Sequence, residues 1–306
     1  MENIIEVTGL KKSYGNIQAV KGIDFSVKKG QLFAFLGPNG AGKSTTVEIL
    51  CTLLKPDEGS VIIDGSTLGK QDNKIRNSIG VVFQDNMLDV FLTVEENMRI
   101  RGSFYGLKGE ALENALKFAA EKTGSTEILK RKYMHLSGGQ KRRADIARAL
   151  MHSPKILFLD EPTTGLDPQT RKSIWETVRT MQKNTNMTVF LTTHYMEEAA
   201  QADYVVMLEN GLVAASGTPA ELREKYAKDL LRIRCKPENE KQICDYLKQN
   251  SISFFNEGGN VIAELDSTIS ALPILDKIRE DILGFEVAAG TMDDAFIAIT
   301  GKGLKK

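Results

Sequence analysis

The chain has 306 residues, of which 42% are apolar, and its 40 lysines and arginines equal its 40 aspartates and glutamates. That length supports a large domain with a smaller one attached, and the zero balance offers no bulk basic charge to hold nucleic acid. Three cysteines (Cys51, Cys235, Cys244) without metal-ligand spacing point to a reducing compartment, Met1-Glu2-Asn3 leads into a strand-like run with no signal peptide, and no apolar stretch approaches the roughly 18 residues of a membrane span.

Residues 4–32 alternate strand-like runs with turns at Gly15-Asn16 and Lys29-Gly30, which predicts an antiparallel β portion. Residues 32–36 are a continuous apolar run and read as a buried strand. Gly37-Pro38-Asn39-Gly40-Ala41-Gly42-Lys43-Ser44-Thr45 follows and satisfies G-x-x-x-x-G-K-[ST]. Residues 44–54 carry an apolar helical face at Val47, Leu50 and Leu54. Strand, glycine loop and helix together make a phosphate cradle. The glycines let backbone N–H groups turn inward without a Cβ in the way, and the helix start adds partial positive charge. Lys43 is placed to reach the β- and γ-phosphates and the Ser44 hydroxyl to ligate Mg²⁺, with Thr45 and Thr46 continuing the cradle.

Val61-Ile62-Ile63 with Asp64-Gly65 reads as a hairpin arm, and residues 93–121 read as helical. Ser137-Gly138-Gly139 then precedes a helix from about Gln140 to Met151, a second anion site with Ser137 as N-cap. Residues 156–159 form another continuous apolar run, with Asp160 and Glu161 at its C-terminal end, the edge where parallel sheets bind ligands. Asp160 is placed to hold the metal through water and Glu161 to polarise an attacking water. Residues 188–193 form a further apolar strand closed by His194. Glu209-Asn210-Gly211 joins residues 204–208 to 212–215 as a hairpin. Thr218-Pro219-Ala220-Glu221 is a capping box opening a helix that ends near Tyr226.

Residues 229–306 form a second region. Leu231, Ile233 and Cys235 alternate with arginines as in a strand, and Ile243, Tyr246 and Leu247 share a helical face. Two further alternating runs flank Gly258-Gly259, Ile274 to Ile282 stripe another helix, and Phe285 and Val287 suggest a last strand. The order βαββαβ fits a ferredoxin-like α+β domain. It holds no cluster of catalytic residue types, so a regulatory or dimer-supporting role and a passive structural one both remain open.

The combination of Lys43, Asp160-Glu161 and Leu136-Ser137-Gly138-Gly139-Gln140 resembles the nucleotide-binding subunit of ATP-binding cassette (ABC) transporters, over residues 4–222. The resemblance implies an α/β P-loop NTPase at residues 1–226, with a mostly parallel central sheet, an antiparallel β subdomain and a helical insert at about 85–150. Mapped onto matching positions, it makes Tyr14 the aromatic that stacks on adenine and Gln84 the loop residue that touches Mg²⁺ and the attacking water. It makes Asp167 a residue that crosses to a second protomer, and His194 a switch near the γ-phosphate. Ser137, Gly138, Gly139 and Gln140 would contact ATP held by the partner. Two such subunits, identical or related, would stack head to tail around two Mg·ATP. A separate multi-span permease would form the channel, with this chain peripheral on the cytoplasmic face of the membrane.

Residues 291–301, residues 142–150 and Phe104-Tyr105-Gly106-Leu107 are similar to the drug-resistance exporter branch, although Gln140 stands where that branch often has methionine. A soluble ABC ATPase of the translation-factor, repair or cluster-assembly type is the alternative. The single cassette and the lack of a sustained heptad run weigh against it.

Overall fold

The computed structural model describes residues 2–301 and divides into two compact units, Met1–Thr218 and Pro219–Lys306. In the first unit a six-stranded sheet runs in the order Leu212–Gly217, Tyr204–Glu209, Leu32–Leu36, Thr188–Thr193, Ile156–Asp160, Ile79–Val82. The inner pairings are parallel, and only the Asn210-Gly211 hairpin adds an antiparallel edge. Every residue of the strands Leu32–Leu36, Ile156–Asp160 and Thr188–Thr193 is buried, as inner strands of a parallel sheet covered on both faces are. Phe33, Phe35 and Phe158 pack around Phe190 with ring centroids 5.0 to 5.5 Å away, in the tilted arrangement aromatic pairs favour.

A second sheet, antiparallel, carries Ile17–Lys28, Asn3–Tyr14, Glu58–Ile63 and Ser66–Thr67 in that order. The region expected to be helical over 93–121 is two helices, Val94–Phe104 and Gly109–Thr123. Gly106, at φ 76, and Gly109, at φ 51, take left-handed conformations that interrupt a single helix.

The second unit carries a four-stranded antiparallel sheet ordered Phe254–Glu257, Asn260–Leu265, Asp229–Cys235, Ile282–Ala288. With helices Glu240–Gln249 and Ala271–Ile278 this is the βαββαβ ferredoxin-like pattern. Ile282 belongs to the last strand, opposite Cys235, and not to the preceding helix. The helix Pro219–Tyr226 falls in this unit, where it packs against Met292–Thr300, so the division lies before that helix and not after Tyr226.

The strand Ile79–Val82 lies at the sheet's edge, where alternate carbonyls would face outward unpaired. Side chains from the helix Gly138–Leu150 and the turn after it satisfy them. His152 Nε2 lies 2.9 Å from the Ile79 carbonyl, and Arg148 donates to Val81 at 2.7 Å. Arg142 donates to Phe83 at 2.7 Å and to Gln84 at 2.9 Å. This ladder fixes the backbone that leads to Gln84.

A carbonyl only accepts, so His152 Nε2 carries the proton. Its ring stacks on Tyr105 with centroids 3.8 Å apart, and burial pushes its pKa down to about 4 from 6.5. Between those values the unfolded chain binds more protons than the folded one. Stability from this group is therefore full above about pH 6.5 and is lost as pH falls toward 4. In His152→Gln, the drop in unfolding free energy from pH 6.5 to 4 should be smaller than in the parent by about 2 kcal/mol, allowing for partial solvent screening. Urea titrations at several pH values measure it, and an unchanged drop contradicts the assignment.

Candidate functional site

Parallel register sets the site. Leu36 lies opposite Thr193, and Asp160 opposite Thr192. The three strands therefore end together, and the loops leaving them meet at one edge. From Leu36 the chain enters residues 37–42 and then the helix Lys43–Leu50. Glycine is required here for two reasons. Gly42 has φ 101, and a Cβ on it would lie 2.5 Å from the Ala19 carbonyl oxygen; a Cβ on Gly37 would lie 2.5 Å from that of Leu208.

Lys43 is 4% exposed. Its Nζ donates to the Gly37 carbonyl at 2.8 Å and the Pro38 carbonyl at 3.2 Å, and lies 3.3 Å from Glu161 Oε1. Burial lowers its pKa, with Glu161 opposing. Burial raises the pKa of Asp160, whose Oδ1 accepts a 2.5 Å hydrogen bond from Thr192 and whose carboxylate also bonds Ser44. A buried cation beside the glycine-loop backbone and a buried carboxylate beside a hydroxyl are both groups whose charged forms gain from a bound counter-charge.

Glu161 sits at φ 44, a conformation that costs a non-glycine residue about 1 kcal/mol. Its N–H is held by the Thr192 carbonyl at 3.2 Å and the Thr192 hydroxyl at 3.0 Å. The turn aims its carboxylate at His194, whose Nδ1 lies 3.1 Å from Oε2, and at Thr164, whose hydroxyl donates to the same oxygen at 3.2 Å.

Asn39, Gly40, Gly42, Lys43, Ser44, Thr45, Gln84, Glu161 and His194 all line one cleft of about 770 Å³. Gln18, Lys21, Thr164 and Asn210 line it too and were not predicted. Their positions in a strand, a loop and a hairpin turn carry no motif. Ser137, Gly139 and Gln140 line a different pocket, of about 220 Å³, which shares no residue with the first. Ser137 caps the helix Gly138–Leu150 reciprocally with Gln140. Gly139 packs closely there, because a Cβ would lie 2.4 Å from Thr170 Cγ2.

The remaining predicted residues stand elsewhere. Gly37, Pro38 and Ala41 support the loop without lining the cleft. Thr46 is wholly buried, its hydroxyl bonded to the Gly42 carbonyl at 2.8 Å. Gly138 packs toward Leu166, 3.1 Å from a built Cβ. Tyr14 is 47% exposed and lines neither pocket. Asp167 caps the helix Pro168–Thr185 through Thr170 N–H at 2.9 Å, and that helix-start hydrogen bonding holds its carboxyl below the usual range. Among the described residues no group of three His, Cys, Asp or Glu side chains could hold a metal ion. The oxygen donors of Ser44, Asp160 and Gln84 suit a hard cation instead.

The family profile described as ABC transporter matches residues 20–164. The daunorubicin/doxorubicin resistance ATP-binding protein DrrA of Streptomyces peucetius is 35% identical over 308 aligned residues, covering 97% of this chain and 92% of that protein. The linearmycin resistance ATP-binding protein LnrL of Bacillus subtilis is 43% identical over 230 residues, 74% of this chain and 73% of LnrL. Among solved structures, the dimeric ATP-binding cassette MJ0796, in a post-hydrolysis state with ADP and Pi, is 30% identical with a TM-score of 0.64, covering 70% of this chain and 98% of that one. With a glycine cradle, an acidic strand end, a histidine just past the neighbouring strand and a relative that matches almost end to end, the chain belongs to the ABC transporter family as an ATP-binding, ATP-hydrolysing subunit.

Proposed function

We propose that two of these subunits close head to tail around two Mg·ATP and drive a separate membrane permease that exports drug-like or other lipophilic compounds. The observation that carries this reading is the division of the machinery. Lys43, Ser44, Gln84, Glu161 and His194 share one cleft, whereas Ser137 and Gly139 face another. A second copy supplies the missing half of each site, as the dimeric state of the MJ0796 cassette allows. Export is supported by the resistance named for LnrL and DrrA. No helix among the described residues is long and apolar enough to cross a membrane. Just beyond Gln84, Met87 and Phe91 are 59% and 71% exposed, an apolar surface suited to a permease on the cytoplasmic face of the membrane.

In this reading Lys43 and the N–H groups of residues 39–45 bind the β- and γ-phosphates, and Glu161 takes the proton of the attacking water, oriented by His194 and Thr164. Ser44, Asp160 and Gln84 would hold Mg²⁺, which when bound neutralises phosphate charge. Tyr14 would stack on the adenine, and Asp167 would lie at the seam between subunits. Closure does the conformational work through charge-assisted hydrogen bonds from Ser137 and Gly139 of the opposing subunit, and loss of the γ-phosphate reopens the pair.

Glu161→Gln should bind ATP, sediment as a stable pair and turn over about a hundredfold more slowly than the parent. Normal turnover in that variant removes Glu161 from its role. Lys43→Ala should weaken ATP binding by about ten- to a hundredfold in calorimetry, and an unchanged affinity contradicts the cradle.

A further inference from the structure

The two loops that meet at Glu161 are joined behind it by a second carboxylate. Glu198, in the short helix Met196–Ala199, is 1% exposed. The Thr163 hydroxyl donates to its Oε1, and the Thr193 hydroxyl donates to its Oε2 at 2.5 Å. Thr193 Oγ1 accepts the Tyr195 amide at 2.9 Å, which leaves its proton for the carboxylate. Thr163 and Thr193 are each 1% exposed, and neither they nor Glu198 lines the cleft.

The chain neighbours of those two threonines are the groups that hold Glu161. Thr164, next to Thr163, donates to Glu161 Oε2, and His194, next to Thr193, faces the same oxygen. One buried side chain thus spans the loop after Ile156–Asp160 and the end of Thr188–Thr193. We propose that Glu198 is a positioning residue for ATP hydrolysis: by bridging Thr163 and Thr193 it sets Thr164 and His194 around Glu161.

Each carboxylate oxygen takes one of the two hydroxyls. Removing it leaves two buried hydroxyls to find new partners, and a displacement of the base by about 1 Å is enough to slow chemistry markedly. Nucleotide binding is expected to survive, because the residues around the phosphate cradle are untouched. The inference rests on Glu161 acting as the base.

The test uses the full chain, with steady-state ATPase kinetics and ATP affinity measured on Glu198→Ala, Glu198→Gln, Glu161→Gln and the two double variants. Glu198→Ala should lower kcat by about ten- to a hundredfold with ATP affinity within about twofold of the parent. Glu198→Gln keeps one acceptor oxygen and should fall in between; it carries the measurement alone if the alanine variant does not fold. In the Glu161→Gln background neither change should lower the residual turnover further, since the base that Thr164 and His194 are set to orient is already gone. A loss that multiplies in that background, or one that appears as weakened ATP binding, overturns the positioning role, as does wild-type kcat in both single variants while Glu161→Gln is impaired. Wild-type turnover in Glu161→Gln itself sinks the assignment of the base and this inference with it.

Discussion

Three buried strands pair in parallel and end level with one another, and the chemistry of this protein depends on that register. Leu36, Asp160 and Thr193 are consecutive in space because Leu32–Leu36, Thr188–Thr193 and Ile156–Asp160 are neighbours in the sheet. Slipping one strand by a single residue would turn its side chains to the other face and carry Glu161 or His194 away from Lys43. The Phe33, Phe35, Phe158 and Phe190 cluster, formed by alternate residues on one sheet face, makes such a slip costly.

On that frame the site is an arrangement of buried charge. Lys43 and Glu161 lie 3.3 Å apart with almost no solvent, and burial disfavours the charged forms of Lys43 and Asp160. Such groups are retained where a ligand repairs the imbalance. The same sheet delivers the cleft's other wall, because the edge strand Ile79–Val82 leads to Gln84 and is tied by Arg142, Arg148 and His152 to the helix that begins at Ser137. The loop that carries Gln84 and the helix start at Ser137 are therefore connected through one helix within a single subunit.

The positions of the glycine loop, Asp160, Glu161 and His194 at strand ends were legible because each follows an apolar run, that of Ser137 because it is a helix-capping residue ahead of two glycines, and so was the βαββαβ order of the second unit. What stayed hidden depends on contacts distant in sequence. Thr192 and Glu198 look like ordinary strand and helix residues; only the packing of two loops gives them partners. Arg142 and Arg148 are buried as donors to a strand edge, and nothing in the helix's own sequence marks them for it. Thr46 continued a motif by adjacency, but the helical turn directs its hydroxyl back to Gly42. The helix Pro219–Tyr226 follows the hairpin without interruption, so no signal in the sequence separated it from the first unit.

The central claim is that Ser137 of one subunit completes the site built around Lys43 of another. A crystal structure of Glu161→Gln grown with ATP and Mg²⁺ tests it directly. The account predicts a two-fold pair with the Ser137 hydroxyl within ~3 Å of a γ-phosphate oxygen on nucleotide held by the partner's cradle. Nucleotide bound by one chain alone, with Ser137 facing solvent, would contradict it.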